Sequence, residues 1–229
     1  MSVIIVDYPL IFLNLKTYEQ ATGTKAVEFA RIAQQVNEKT GISIAVAPQT
    51  IDIASLTVSW ETPVFAQHID PITYGKNTGH TLPEAVVDAG AYGTLLNHSE
   101  RQISLERIEA SIKRAREVDL VTIVCADTIE TAKKIALIGP DAIAIEPPEL
   151  IGSGISVSTA QPEIVSGAVK AVQNVNPDVK VLCGAGITNG EDASAALDLG
   201  AKGILVASGV VKSDNPYMAL LELARSMQR

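Results

Sequence analysis

The chain has 229 residues, room for one domain or two small ones at ~100–200 residues each, and enough to bury a large core. At 47% hydrophobic and 19% charged it is neither a disordered chain nor a fibre, and with aromatics at 4% its core must be aliphatic. Eighteen Lys and Arg against 26 Asp and Glu give a formal charge of −8, which counts against a nucleic-acid binder with a basic face and obliges any anionic ligand to meet a local positive site.

Short apolar runs alternate with longer helix-patterned segments along the whole chain. Strands are predicted at 11–15, 42–46, 64–66, 93–96, 120–124, 141–145, 179–182 and 203–206. Helices are predicted near 23–39, 50–58, 82–89, 104–118, 128–137, 160–174, 190–198 and 216–228. In 104–118, Leu105, Ile108, Ile112 and Ala115 form one apolar stripe. Dividing 229 residues among eight units gives about 29 each, near the ~30 of a βαβ repeat. Strands apolar on both faces suit a parallel sheet covered by helices. The expected fold is a closed (β/α)8 barrel, a single domain over residues 1–229. An open doubly wound sheet would favour a Gly-x-Gly-x-x-Gly turn after its first strand, and the turn after Leu13-Asn14-Leu15-Lys16 has none.

Cys125 and Cys183 lie in apolar runs and read as buried thiols; no Cys-x-x-Cys pair or Cys/His cluster points to a disulfide framework or a metal. No uncharged apolar run reaches the ~18 residues of a membrane span. The opening segment carries Asp7 and Pro9 and no basic start, unlike a secretory signal. A soluble, cytoplasmic protein of a reducing compartment is expected.

In such a barrel the chemistry sits where the strands end. In the first strand Phe12, Asn14 and Lys16 share a face. An ammonium inside a dry barrel is very costly, so Lys16 sits at the mouth or points to solvent. In the fourth, Thr94, Leu96 and His98 share a face, and Ser99-Glu100-Arg101 read as a short helical turn whose N–H groups would favour a neutral imidazole; a His that merely caps the turn is the plainer alternative. His68 and His80 show no comparable pattern and read as structural or surface residues. In the sixth strand Ala142 and Ala144 lie beneath Glu146, and Pro147-Pro148 stiffen the chain just beyond it. The plainer reading is a surface Glu at a strand end.

The run Glu149-Leu150-Ile151-Gly152-Ser153-Gly154 has an apolar tip on a polar loop and reads as a lid that excludes water. Gly184-Ala185-Gly186 and Ala207-Ser208-Gly209, after the last two strands, are small enough for backbone N–H groups to converge on an anion. Tight turns also want glycine, so the pair of loops counts for more than either alone.

Together, Asn14-Leu15-Lys16, Asn97-His98-Ser99-Glu100-Arg101, Glu146-Pro147-Pro148-Glu149-Leu150-Ile151-Gly152-Ser153-Gly154, Gly184-Ala185-Gly186 and Val206-Ala207-Ser208-Gly209 resemble the triosephosphate isomerase family in order and spacing. The resemblance covers the whole chain and is nearest the short archaeal branch. Gln102 stands where a second Arg is common, and Gly184-Ala185-Gly186 replaces Gly-Gly-Ser. The resemblance implies a TIM barrel that interconverts dihydroxyacetone phosphate and D-glyceraldehyde 3-phosphate, in glycolysis and gluconeogenesis, without metal or organic cofactor. It implies Glu146 as base, His98 as the proton shuttle between substrate oxygens, and Lys16 as the stabiliser of negative charge. Asn14, Leu15, Lys16, Ile151, Gly186, Ala207 and Ser208 would contact substrate, with Glu100 supporting Lys16 or a nearby Arg. The long segment 69–84 would reach a neighbouring subunit of a homo-oligomer, a tetramer ahead of a dimer; no nucleic acid and no membrane are expected as partners.

Three other functions fit parts of the pattern. A Schiff-base lyase could use Lys16 as nucleophile, but no apolar burial activates it. Another phosphosugar isomerase would share the phosphate loops without explaining Lys16, His98 and Glu146 together. A phosphosugar-binding scaffold would have no use for a general base.

Overall fold

The computed structural model describes residues 6–147, 156–184 and 186–228. The first half alternates β1 (Leu10–Asn14), α1 (Thr24–Thr40), β2 (Ser43–Ala47), α2 (Ile53–Ser59), β3 (Phe65–Ala66), α3 (Pro83–Asp88), β4 (Gly93–Leu96) and α4 (Leu105–Glu117). The second continues with β5 (Val121–Ala126), α5 (Ile129–Ile138), β6 (Ala142–Ile145), α6 (Val157–Ala160), α7 (Pro162–Val175), β7 (Lys180–Cys183), α8 (Gly190–Asp198), β8 (Gly203–Val206), α9 (Ser208–Val211) and α10 (Pro216–Ser226). Parallel ladders join the strands in the order β2-β1-β8-β7-β6-β5-β4-β3. Between β2 and β3 the join is a bridge from Val46 to Val64, with the Val46 N–H donating to the Pro63 carbonyl at 2.9 Å. The barrel is therefore nearly closed, with its thinnest seam at the two-residue β3.

Local chemistry fixes the element ends. The Ser104 hydroxyl accepts the Arg107 N–H at the start of α4, and Arg114 and Arg116 sit near its negative C-terminal end. Ile108, Ile112 and Ala115 bury the expected stripe, but Leu105, the first residue of α4, is 39% exposed. The helix expected to begin at 160 is two helices. Pro162 has no N–H to donate back into α6, so the chain breaks at Gln161 and restarts with Pro162 in the first turn of α7.

Strand alternation sorts the core into two layers. Ile11, Leu13, Val46, Val124, Ile143 and Ile145 face the helices. Leu10, Phe12, Phe65, Leu95, Ala144 and Leu205 fill the barrel, where the Phe12 and Phe65 rings meet edge to face at 5.2 Å. Each such large side chain, fully buried, stabilises the fold by roughly 1.5–3 kcal/mol. Gly203 lets β8 lie against β1: a Cβ there would stand 2.1 Å from the Leu10 carbonyl oxygen. Among the described residues no helix is long and apolar enough to cross a membrane.

The segment 69–84 is held by its own polar groups. The buried Asp70 carboxylate accepts the Thr81 N–H at 2.9 Å, an Arg107 N–H at 3.0 Å, and lies 3.3 Å from His68 Nε2. His68 is buried, and desolvation together with the nearby Arg101 charge holds its pKa below the usual imidazole value. Its burial selects the structural one of the two roles, structural or surface, that its sequence context allows.

Candidate active site

Three strand ends converge at the mouth. At the end of β1, Asn14 is buried, and its side-chain oxygen accepts the Lys16 N–H at 3.0 Å. Lys16 itself takes a left-handed conformation (φ 49°). The Gln67 amide donates to the Lys16 carbonyl at 2.9 Å and to the Ala47 carbonyl at 3.0 Å, holding that turn to β2. The Lys16 ammonium reaches Glu100 Oε1 at 2.8 Å. Lys16 therefore lies at the mouth, paired, with its side chain only 12% exposed.

His98 also arrives inside, by a different route from the one the pattern predicts. Leu95 faces the barrel and Leu96 faces the helices, so plain alternation would send His98 outward with Leu96. Asn97 is left-handed (φ 56°) and resets the direction. Its amide donates to the Cys125 carbonyl at 2.9 Å, and its oxygen accepts the Ile103 N–H at 3.0 Å. The shared face expected for Thr94, Leu96 and His98 is thus corrected: the change of backbone hand at Asn97 breaks it. His98 then caps the 3-10 turn Ser99–Arg101, and its Nδ1 accepts the Glu100 N–H at 3.2 Å. An Nδ1 that accepts leaves the proton on Nε2, the tautomer that presents an N–H to the site.

Glu146 needs no such turn. It follows Ala142 and Ala144 on the inner face of β6, and its N–H donates to the Ala126 carbonyl at 2.8 Å. The residue is 5% exposed. Its Oε2 has no hydrogen-bond partner among the described residues and lies 3.9 Å from His98 Nε2. Cys125 projects inward beside it. Burial and then the Glu146 charge push the Cys125 thiol well up, so it stays protonated beside the carboxylate. Cys183 faces the helices instead, and both cysteines are buried and free.

The last two strands supply backbone. Gly184 comes directly after β7, Gly186 is left-handed (φ 74°), and Ala207 precedes α9. The Val211 N–H donates to the Ala207 carbonyl at 2.9 Å, while the first N–H groups of α9, from Ser208 on, have no intrahelical acceptor. Leu15 does not join the cluster: its side chain packs among the helix-facing core and its N–H donates to the Ala47 carbonyl at 3.0 Å. Ile151 and the rest of the expected lid at 149–154 lie outside the described residues, as does Ala185. Among the described residues no cluster of His, Cys, Asp and Glu could hold a metal ion.

The family model described as triosephosphate isomerase matches residues 9–226. The chain belongs to the triosephosphate isomerase family. A relative of that name from Methanocaldococcus jannaschii is 53% identical over 216 residues, covering 94% of this chain and 99% of its own. Another from Methanosarcina mazei is 54% identical over 217 residues, covering 95% and 98%. A solved triosephosphate isomerase from Bartonella henselae has the same fold, with a TM-score of 0.77 at 16% identity over 96% of this chain and 99% of that one. The similarity to methanogen relatives accords with the archaeal character of the motifs.

Sequence reasoning misses Gln67, whose amide ties the Lys16 turn to β2, and the inward placement of Cys125. Gln67 sits one residue past β3 with no motif around it, so only the fold brings it to Lys16. Gly184 belongs to an expected phosphate loop, yet it also seats Glu146: a Cβ there would lie 2.6 Å from Glu146 Cγ. Gly184→Ala is expected to displace the carboxylate and lower kcat by about 10²-fold, the cost of a small misplacement, with far-ultraviolet circular dichroism unchanged. Steady-state kinetics on the purified variant check this.

Proposed function

We propose that Glu146, His98 and Lys16 carry out in this chain the reaction that defines its family. That reaction is the intramolecular aldose–ketose isomerisation of dihydroxyacetone phosphate and D-glyceraldehyde 3-phosphate. Residues 1–229 act as one barrel domain. The observation that carries the assignment is the buried Glu146 oxygen, unpartnered among the described residues, beside His98 Nε2 at the barrel mouth. A buried carboxylate oxygen without a partner is costly, and a bound substrate would give it a C–H proton to take.

In the forward direction Glu146 removes a proton from C1 of dihydroxyacetone phosphate, and the C–H electron pair forms the C1–C2 double bond while charge develops on O2. His98 donates its Nε2 proton to O2 and recovers one from the O1 hydroxyl. Protonated Glu146 then delivers its proton to C2, leaving the aldehyde at C1. Triosephosphate isomerase is itself the general example of a glutamate base paired with a neutral imidazole. The ammonium of Lys16 sets positive charge where the enediolate forms, and Asn14 orients the substrate. Backbone N–H groups at Gly186, Ala207 and Ser208 are assigned to the phosphate, and Ile151 to the covering loop. No metal or organic cofactor enters any step.

Coupling ketone formation from D-glyceraldehyde 3-phosphate to its reduction tests the assignment. Wild type is expected to turn over rapidly, and Glu146→Asp to lose about 10²-fold or more in kcat while folding normally. Near-unchanged turnover would remove Glu146 from the base role. A folded wild type that binds triose phosphate without turnover would leave a binding protein on this fold.

We also propose a cytoplasmic homotetramer, with a dimer as the alternative. Two buried free thiols are consistent with a reducing compartment. Tyr74, at 72% exposed, stands on a segment that is otherwise pinned, where Arg114 Nε donates to the Ile72 carbonyl at 2.9 Å. A large aromatic held outward on a rigid segment is suited to burial against another subunit. Light scattering at micromolar concentration is expected to give the mass of four chains, or two; the mass of one would contradict the assembly.

A further inference from the structure

We propose that Asp192 is a positioning residue for the phosphate end of the site. It would hold in one geometry the loops at 186–188 and 207–209 together with the turn at 156–160. The proposal rests on the isomerase reading above for the identity of the phosphate ester. It goes beyond that reading in naming a residue that touches no substrate.

Asp192 is the third residue of α8, whose N-cap is Asn189. The Asn189 side-chain oxygen accepts the Asp192 N–H at 3.0 Å, so the cap is already made. In an ordinary capping box the third-position acid would reach back to the N–H of the cap residue. Asp192 reaches further. Its Oδ2 accepts both the Thr188 N–H at 3.1 Å and the Thr188 hydroxyl at 3.2 Å. Its Oδ1 lies 3.4 Å from the Thr159 hydroxyl, and its carbonyl accepts the Ser158 hydroxyl at 2.8 Å. Ser158 in turn meets the Ser156 hydroxyl at 2.8 Å. The residue is 6% exposed, and a buried carboxylate is tolerated only when its oxygens are bonded.

These bonds leave α8 for two other elements. One set holds Thr188, two residues past Gly186. The other holds α6, where the chain rejoins the described structure after 155. The held turn then packs on the eighth-strand loop: a Cβ on Gly209 would stand 3.2 Å from the Ile187 carbonyl oxygen and 3.5 Å from Thr188 Cα. The start of α8 is itself fixed from outside, since the Gly190 N–H donates to Glu222 at 3.3 Å. A change at the Asp192 carboxylate would therefore shift the N–H groups at 186–187 relative to those at 208–209. His98, Glu146 and Lys16, on other strands, would keep their places. The loss should fall on the phosphate group and spare the reacting carbons.

The test compares D-glyceraldehyde 3-phosphate with unphosphorylated D-glyceraldehyde in wild type, Asp192→Asn and Ser158→Ala. It is joined by calorimetric binding of inorganic phosphate. Asp192→Asn keeps the size and one acceptor oxygen. It is expected to lower kcat/KM for the phosphorylated substrate by about tenfold or more, as a displaced binding group does. D-glyceraldehyde turnover should stay within about twofold, and phosphate binding should weaken in parallel. Ser158→Ala, which leaves the α8 cap intact, is expected to show the same selective loss at smaller size and serves if Asp192→Asn fails to fold. Equal losses on both substrates would reduce Asp192 to a structural cap and overturn the proposal. So would unchanged kinetics, or phosphate bound as tightly as by wild type. A wild type that binds phosphate without isomerising would overturn the isomerase reading alone, since the phosphate-binding comparison still tests Asp192.

Discussion

The site depends on a reversal of backbone hand where two strands end. A β-strand sends successive side chains to opposite faces, and nothing in that alternation brings both a strand-end His and its neighbours to one mouth. At Asn97 the chain turns left-handed, and His98 enters the barrel instead of following Leu96 outward. The conformation costs an ordinary L-residue roughly 1–2 kcal/mol. Asn is among the few side chains that tolerate it, and here its amide is bonded at both ends, to Cys125 and Ile103. Lys16 makes a similar turn, anchored by Asn14 on one side and Gln67 on the other. Glu146 arrives by plain alternation over two alanines, which leave space beneath its carboxylate.

Charge placement is a consequence of those turns. A chain with a net charge of −8 must concentrate its positive charge to attract an anion. Lys16 places one positive charge at the mouth, held to Glu100 rather than left to swing in solvent. The same 3-10 turn that carries Glu100 supplies the N–H accepted by His98 Nδ1, so one short element sets both the lysine's partner and the tautomer of the imidazole. Cys125, protonated beside Glu146, gives the carboxylate a neutral neighbour deep in the barrel.

Much of this is legible in the sequence because the repeat is regular. Eight apolar runs correspond to eight strands, most within a residue or two of their expected bounds, since Ile- and Val-rich runs flanked by turn residues leave little ambiguity. The face of Glu146 is readable because alternation holds through β6. The face expected around His98 fails because one residue's φ overrides a parity rule, and φ is invisible to a pattern count. Leu15 belongs to a motif that implies substrate contact, yet its side chain packs toward the helices, as the alternation of β1 itself implies. Leu105 continues a helical stripe in sequence but, at the first position of α4, stays exposed. The division of α6 from α7 is signalled by Pro162, and the Gln67 and Asp192 contacts join segments too far apart in sequence for any local motif to reveal.

A left-handed residue at position 97 puts the imidazole in the site. Kinetics of Asn97→Gly beside Asn97→Val test this most directly, because both lose the amide bonds and only valine resists the left-handed backbone. The glycine variant is expected to keep turnover within about tenfold of wild type, and the valine variant, still folded by circular dichroism, to fall by a further ~10²-fold as His98 is displaced. Equal activity in the two variants would contradict it.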